Sequence, residues 1–141
     1  MKISIGSDHA GYNLKEHIKK YLVQKGYEII DEGTDTTDSV DYPDFGKAVG
    51  ERVSSKEVDK GIVICGSGIG ISIAANKIQG IRCALVNEPL SAKLSRQHND
   101  ANVVAMGGRL IGTQMAEEIV EAFLNTEFEG GRHCNRVNKL G

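Results

Sequence analysis

The chain has 141 residues, 40% hydrophobic and 26% charged, with a formal net charge of −2. That length and balance fit one domain over residues 1–141, leave too little chain for a second self-sufficient core, and give no overall positive field for nucleic acid or an anionic membrane. No signal-like start and no run near the roughly 20 apolar residues of a membrane span is present, and Cys65, Cys83 and Cys134 form no CxxC pair, so a cytoplasmic protein without a disulfide framework or structural zinc is expected.

Lys2-Ile3-Ser4-Ile5 reads as a first strand, and Leu14, Ile18, Tyr21 and Leu22 then share one helical face before Gly26 ends that helix. Tyr27 to Asp31 predicts a second strand. A polar loop through Asp35, Asp38 and Asp41 leads to Pro43 and a helix carrying Phe45, Ala48, Val49 and Val53. Gly61-Ile62-Val63-Ile64-Cys65 is a continuous apolar run, the pattern of a central parallel strand buried on both faces. Strands are predicted again over Ile81 to Val86 and Val103 to Met106. A helix from Pro89 to Gln97 lies between them, and an amphipathic one carrying Met115, Ile119, Val120 and Phe123 follows. The tail from Gly130 predicts a short loop and a last polar helix.

Five strands alternating with helices imply a three-layer, Rossmann-like α/β fold with a five-stranded parallel sheet, because each crossover must return right-handed over a sheet face. Ligands of such sheets bind beyond the carboxyl ends of the strands, near the switch in strand order, so loops 6–11, 66–70, 87–89 and 107–112 are the candidate regions.

Gly66-Ser67-Gly68-Ile69-Gly70 follows the third strand and opens a helix, where glycines allow close backbone approach and unpaired N–H groups favour an anion. A tight turn alone would use the same glycines. The loop follows the third strand and not the first, and Ile71 stands where a dinucleotide fingerprint has its last glycine. Gly6 and Gly11 have P-loop spacing, yet Tyr12-Asn13 replace the Lys-Ser/Thr pair. Cys65 ends the central strand against the glycine loop, where the helix's positive end favours a thiolate, so it suits a base or nucleophile as well as a small core residue. Cys83, inside a strand, reads as core.

Asp8-His9 follows the first strand at the same sheet edge, suited to sugar hydroxyls and phosphate, or to a helix cap with a surface histidine. His98-Asn99 ends the fourth helix, as C-terminal capping residues often do. Arg109 follows Gly107-Gly108, while Arg132 and Arg136 are four apart and share a face if the tail is helical; the three could hold one phosphate or belong to a solvated basic surface. His17 reads as a surface residue, and His133 has no convergent setting in the sequence.

Five segments in order resemble the B-type ribose-5-phosphate isomerases, a family shared with galactose-6-phosphate and allose-6-phosphate isomerases: Gly6-Ser7-Asp8-His9-Ala10-Gly11; Asp41-Tyr42-Pro43; the run from Ile64 through the glycine loop to Lys77; Ser95-Arg96-Gln97-His98-Asn99-Asp100-Ala101-Asn102; and Gly130-Gly131-Arg132-His133. The resemblance implies Cys65 as base, Ser67 supporting the reacting oxygen, and the backbone of Gly66, Ser67, Gly68, Ile69 and Gly70 cradling an enediolate. It implies His98 in ring opening, Asp8 and Asn99 on substrate oxygens, and His9, Arg109, Arg132 and Arg136 around the phosphate. It further implies a homodimer with sites at the subunit interface, with assembly into a dimer of dimers left open.

Where relatives carry threonine this chain has Ser67, which keeps the hydroxyl, and Ile71 stands where another branch uses a glutamate base, which places the chain with the cysteine branch. The expected reaction interconverts ribose 5-phosphate and ribulose 5-phosphate through an enediolate, with no cofactor and no metal. A six-carbon sugar phosphate is the alternative substrate, and a noncatalytic nucleotide-binding module the alternative of another class.

Overall fold

In the computed structural model, which describes residues 1–141, the strands are β1 (Lys2–Ser7), β2 (Glu28–Asp31), β3 (Lys60–Cys65), β4 (Cys83–Leu85) and β5 (Val103–Gly107). The helices are α1 (Tyr12–Gln24), α2 (Tyr42–Ser54), α3 (Ile69–Asn76), α4 (Pro89–Asn99), α5 (Thr113–Asn125) and α6 (His133–Asn138). All strand pairings are parallel, in the order β2-β1-β3-β5-β4. This is the three-layer α/β arrangement that the strand and helix alternation predicts.

β3 lies in the middle of the sheet, and its side chains divide by the period of two that a strand imposes. Ile62 and Ile64 join the core against α1, α4 and α5, together with Leu14, Ile18, Ala92, Ile119 and Phe123. Val63 and Cys65 join the other core against α2 and α3, with Val49, Val53, Ile71 and Ala75. Burial on both faces explains the unbroken apolar run in the sequence. No helix is long and apolar enough to cross a membrane.

The chain runs from β1 outward to β2, then returns past β1 to β3, so the order reverses between β1 and β3. Register brings Ser7 opposite Ile64 and Cys65 opposite Gly107, which sets the carboxyl ends of β1, β3 and β5 side by side. A short 3-10 turn (His9–Gly11), unannounced by the sequence, follows β1 and packs on the end of β3. A Cβ on Gly11 would stand 2.5 Å from the Ile64 carbonyl oxygen, so only glycine permits this approach.

The sequence also predicts a longer fourth strand, over Ile81 to Val86. Because β5 fills the position between β3 and β4, β4 is an edge strand of three residues. The Arg82 amide is instead taken by the Asn102 side chain at 2.8 Å, while the Asn76 amide pairs with both the N–H and the carbonyl of Cys83, standing in for a neighbouring strand. His17, read as a surface residue, ties α1 to α5 through Glu117 at 2.6 Å.

Lys15 on α1 is fully buried, and its ammonium donates to both oxygens of Asp31 at the end of β2, at 2.9 and 2.7 Å. Asp31 also accepts from Lys19 at 2.8 Å and from the Gly33 N–H at 2.8 Å. Burial pushes the Asp31 carboxyl up, but the bonds from Lys15, Lys19 and Gly33 outweigh it and hold the group below the usual carboxylate range. A lowered carboxyl contributes stability that is present above the unfolded-state value of about 4 and is lost as pH falls through the folded one. Asp31→Asn should therefore cost about 3 kcal/mol at neutral pH, the low end for stranding a buried charge, since Glu16 lies near. Urea unfolding at pH 7 and pH 3 checks this. The gap to wild type should narrow at the lower pH, and an equal gap at both would remove the ion pair from the account.

Candidate active site

The end of β3 and the loop after it present a surface of backbone N–H donors. Gly68 takes φ +80°, which turns the chain sharply into α3 and aims its N–H at Cys65, where it donates to Sγ at 3.2 Å. Such a bond strengthens as negative charge grows on sulfur. Ser67 Oγ accepts from the Ile69 N–H at 3.2 Å, so its hydroxyl proton remains to be donated outward. In the first turn of α3 the Gly70 and Ile71 N–H groups take no backbone acceptor, and the helix dipole adds to their partial positive charge.

Loop 8–11 and loop 108–112 close around this surface. Asp8 is buried; one of its oxygens accepts from the Gly11 N–H at 3.1 Å, the capping role that its position in the sequence also allowed. That leaves its second oxygen for another partner. His9 Nδ1 accepts from the Val40 N–H at 3.1 Å, which places the proton of the neutral ring on Nε2 as an outward donor. Arg109 is tied to the glycine loop by its own N–H, which donates to the Gly66 carbonyl at 3.1 Å. Its guanidinium lies across Gly66, 3.2 Å from where a Cβ would stand. No acidic side chain pairs with Arg109, Arg132 or Arg136.

These groups border an open cleft of about 620 Å³ whose lining includes Cys65, Ser67 and Arg109. Tyr42, Ile73 and Leu110, to which sequence reasoning assigned no part, also line it. The Tyr42 ring occupies the space beside Gly70, where a Cβ would come within 2.5 Å of ring atoms. Its signal was the tyrosine preceding Pro43 at a helix start. Ile73 and Leu110 are 55% and 67% exposed, an apolar rim left bare in the single chain.

His98 and Asn99 are elsewhere. Because α4 runs antiparallel to the strands, its last turn lies at the amino end of the sheet, beside Asn102, whose carbonyl accepts from the Gly61 N–H at the start of β3. The length of β3, roughly 15 Å, separates that end from Cys65. The His133 ring stacks on His98, with centroids 4.6 Å apart and planes 17° apart, and the Glu129 N–H donates to the Gln97 carbonyl. α6 and the residue that caps its start therefore place Arg136 and Arg132 at the end of α4 that carries His98 and Asn99, away from Arg109. The structure brings Asp8, His9, Cys65, residues 66–70 and Arg109 together at one end and the remaining four candidates at the other.

His133 thus has the convergent setting that the sequence did not reveal, since it depends on α6 folding back over α4. Ligand-type atoms of His98, Glu129 and His133 lie within 4.8 Å of one another. His133 Nε2 stands 3.5 Å from Glu129 Oε1, so the trio is a stacked pair of rings edged by a carboxylate. Burial pushes the Cys83 thiol up to about 12, which leaves it protonated in its strand.

A family model described as Ribose/Galactose Isomerase matches residues 3–140. Ribose-5-phosphate isomerase B of Escherichia coli is 51% identical, covering 99% of this chain and 93% of that protein. A galactose-6-phosphate isomerase subunit of Clostridium acetobutylicum is 44% identical over 99% of this chain and 80% of its own length. The solved structure of Clostridium thermocellum ribose-5-phosphate isomerase B superposes with a TM-score of 0.99 at 57% identity, covering 100% of this chain and 95% of that one. With matches of this extent, the chain belongs to the ribose/galactose isomerase family of aldose–ketose sugar-phosphate isomerases.

Proposed function

We propose that the chain interconverts D-ribose 5-phosphate and D-ribulose 5-phosphate, and that each site is shared by two copies in a homodimer. The observation that carries this reading is Cys65 Sγ held by the Gly68 N–H inside a ring of donors, with Arg109 across the same loop. Isomerisation moves one proton between C2 and C1 of the open-chain sugar. Cys65 as thiolate takes the C2 proton; the electron pair forms the enediolate, the hydroxyl proton on O2 passes to O1, and the thiol returns its proton to C1 as C2 becomes the carbonyl. Negative charge appears on oxygen between those steps, and the free Gly70 and Ile71 N–H groups and the Ser67 hydroxyl are the donors that meet it, so they stabilise the transition state more than the substrate.

The cyclic sugar must open first, and His98 is the acid–base group for that step. Asp8 and Asn99 hold substrate hydroxyls. His9, Arg109, Arg132 and Arg136 take the phosphate, far from the reacting carbons. One chain cannot do this alone, because its Cys65 and His98 lie at opposite ends of β3. A two-fold partner that lays its His98 end over the Cys65 cleft completes two equivalent sites and covers the bare rim of Ile73 and Leu110.

The family resemblance to a galactose-6-phosphate isomerase subunit supports a six-carbon substrate as the second reading. A noncatalytic nucleotide-binding module has no support from the family, and the glycine loop lies after β3, not at the β1 position of a dinucleotide fold.

Cys65→Ala should lower turnover of ribose 5-phosphate by about 10²–10⁴-fold while the fold survives. Turnover of ribose 5-phosphate and of a six-carbon aldose phosphate by wild type and variant measures both base and substrate, and near-native turnover by the variant would make Cys65 a core thiol. Mixing Cys65→Ala with His98→Asn under subunit exchange should restore roughly a quarter of wild-type activity, because half of the dimers are mixed and each has one intact site. No recovery on proven exchange would place both groups in one chain's site. Arg132→Ala and Arg136→Ala should each weaken binding of a phosphorylated sugar acid by roughly 10- to 150-fold and leave its unphosphorylated counterpart unaffected, as expected for charge-assisted hydrogen bonds of about 1.5–3 kcal/mol. Competitive inhibition constants for the two ligands read this directly.

A further inference from the structure

The amino end of the sheet carries a second concavity, of about 240 Å³, in which four cationic side chains, Lys56, Lys60, Arg82 and Arg96, meet two carboxylates, Asp59 and Asp100. Both carboxylates are already engaged. Asp59 accepts from the Lys2 N–H at 2.8 Å. Asp100 receives Arg96 Nη1 at 2.8 Å and Arg82 Nη2 at 3.4 Å.

The arginines are fixed by further bonds. Buried Arg96 donates from Nε to the Thr126 carbonyl at 3.0 Å and from Nη1 to the Ala101 carbonyl at 2.6 Å. Arg82 donates from Nε to the Asn99 and Asp100 carbonyls. What remains unpaired is Nη2 of Arg96, Nη1 of Arg82 and the ammonium groups of Lys56 and Lys60; none has an acceptor in the structure. Lys60 is half-buried, and burial first, then the neighbouring Arg96 charge, push its ammonium below the ordinary lysine range, with the Asp100 and Asp59 charges offsetting this only in part. Placing cations together, partly out of water and without an acceptor, is costly unless an anion joins them.

We propose that this pocket binds a free phosphate-sized oxyanion. Guanidinium groups fixed by hydrogen bonds, together with ammonium groups on flexible stems, suit a tetrahedral anion, whose oxygens accept in several directions, better than a planar carboxylate. The pocket lies at the opposite end of the sheet from Cys65, and neither Arg132 nor Arg136 lines it. The proposal does not rest on the proposed reaction, and its test removes Arg132 and Arg136, two of the four groups proposed there to take the phosphate.

The full-length Arg132→Ala/Arg136→Ala double variant, labelled with ¹⁵N, is titrated with inorganic phosphate at constant ionic strength, and separately with glycerol phosphate as a monoester. Amide signals of Lys60, Arg82, Asp100 and Asn102 should move along one saturable curve with inorganic phosphate. Adding Lys60→Met should weaken that binding by about tenfold or more. Lys56→Gln, on an exposed turn, should weaken it as well and guards against a folding defect in the first variant. Shifts that stay linear through the millimolar range, saturation that both lysine variants leave unchanged, or saturation by the monoester alone would each overturn the assignment.

Discussion

The Ile64 carbonyl is the point on which the arrangement of the cleft depends. It accepts from the Asp8 N–H at 3.3 Å, and the backbone of Gly11 is pressed against it with no room for a side chain. Through that contact the loop after β1 is seated on the end of β3, one residue before Cys65. On the other side the Gly108 N–H donates to the Cys65 carbonyl at 2.8 Å, which seats the loop after β5. Three loops that carry a carboxylate, an imidazole, a thiol and a guanidinium are held at one level by hydrogen bonds between their own backbones. The side chains are then free to serve a ligand.

That placement relies on β3 being rigid, and its rigidity comes from burial on both faces and pairing on both edges. Side chains of opposite pleat enter different cores, so rotation of the strand would disturb both at once. Cys65 is part of the second core and also borders the cleft. A thiol in this position combines packed surroundings with an opening on the cleft, which suits the proposed proton transfer between adjacent carbons.

The two ends of the sheet differ in chemistry. The carboxyl end offers N–H donors and the amino end collects cationic side chains, Arg132 and Arg136 among them. Under the shared-site reading a two-fold axis makes one end the complement of the other, which gives the bare apolar rim of the cleft a role that the isolated chain does not. The same end of α4 is fastened by Arg82 and Arg96 through Asp100, whose φ of +46° ends the helix directly after His98 and Asn99. Those two buried or half-buried arginines, absent from any sequence-derived site, fix the position of the proposed ring-opening group.

Local pattern determined much of this protein. The apolar run through Cys65 implied a strand buried on both faces, the glycines after it implied a loop of backbone donors, and the alternation of strands and helices implied a parallel sheet, because each follows from the period and sterics of neighbouring residues. The ordered motifs identified the family. Distant contacts decided the rest. The exchange of β4 and β5, which shortened the fourth strand to Cys83–Leu85, depends on which crossover reaches further and leaves no mark in the strand sequences. The pairing of His133 with His98, and the separation of Arg109 from Arg132 and Arg136, arise from α6 folding back on α4 at the amino end of the sheet. Residues that meet across a fold share no spacing, so only the tertiary structure could say which of them stand together.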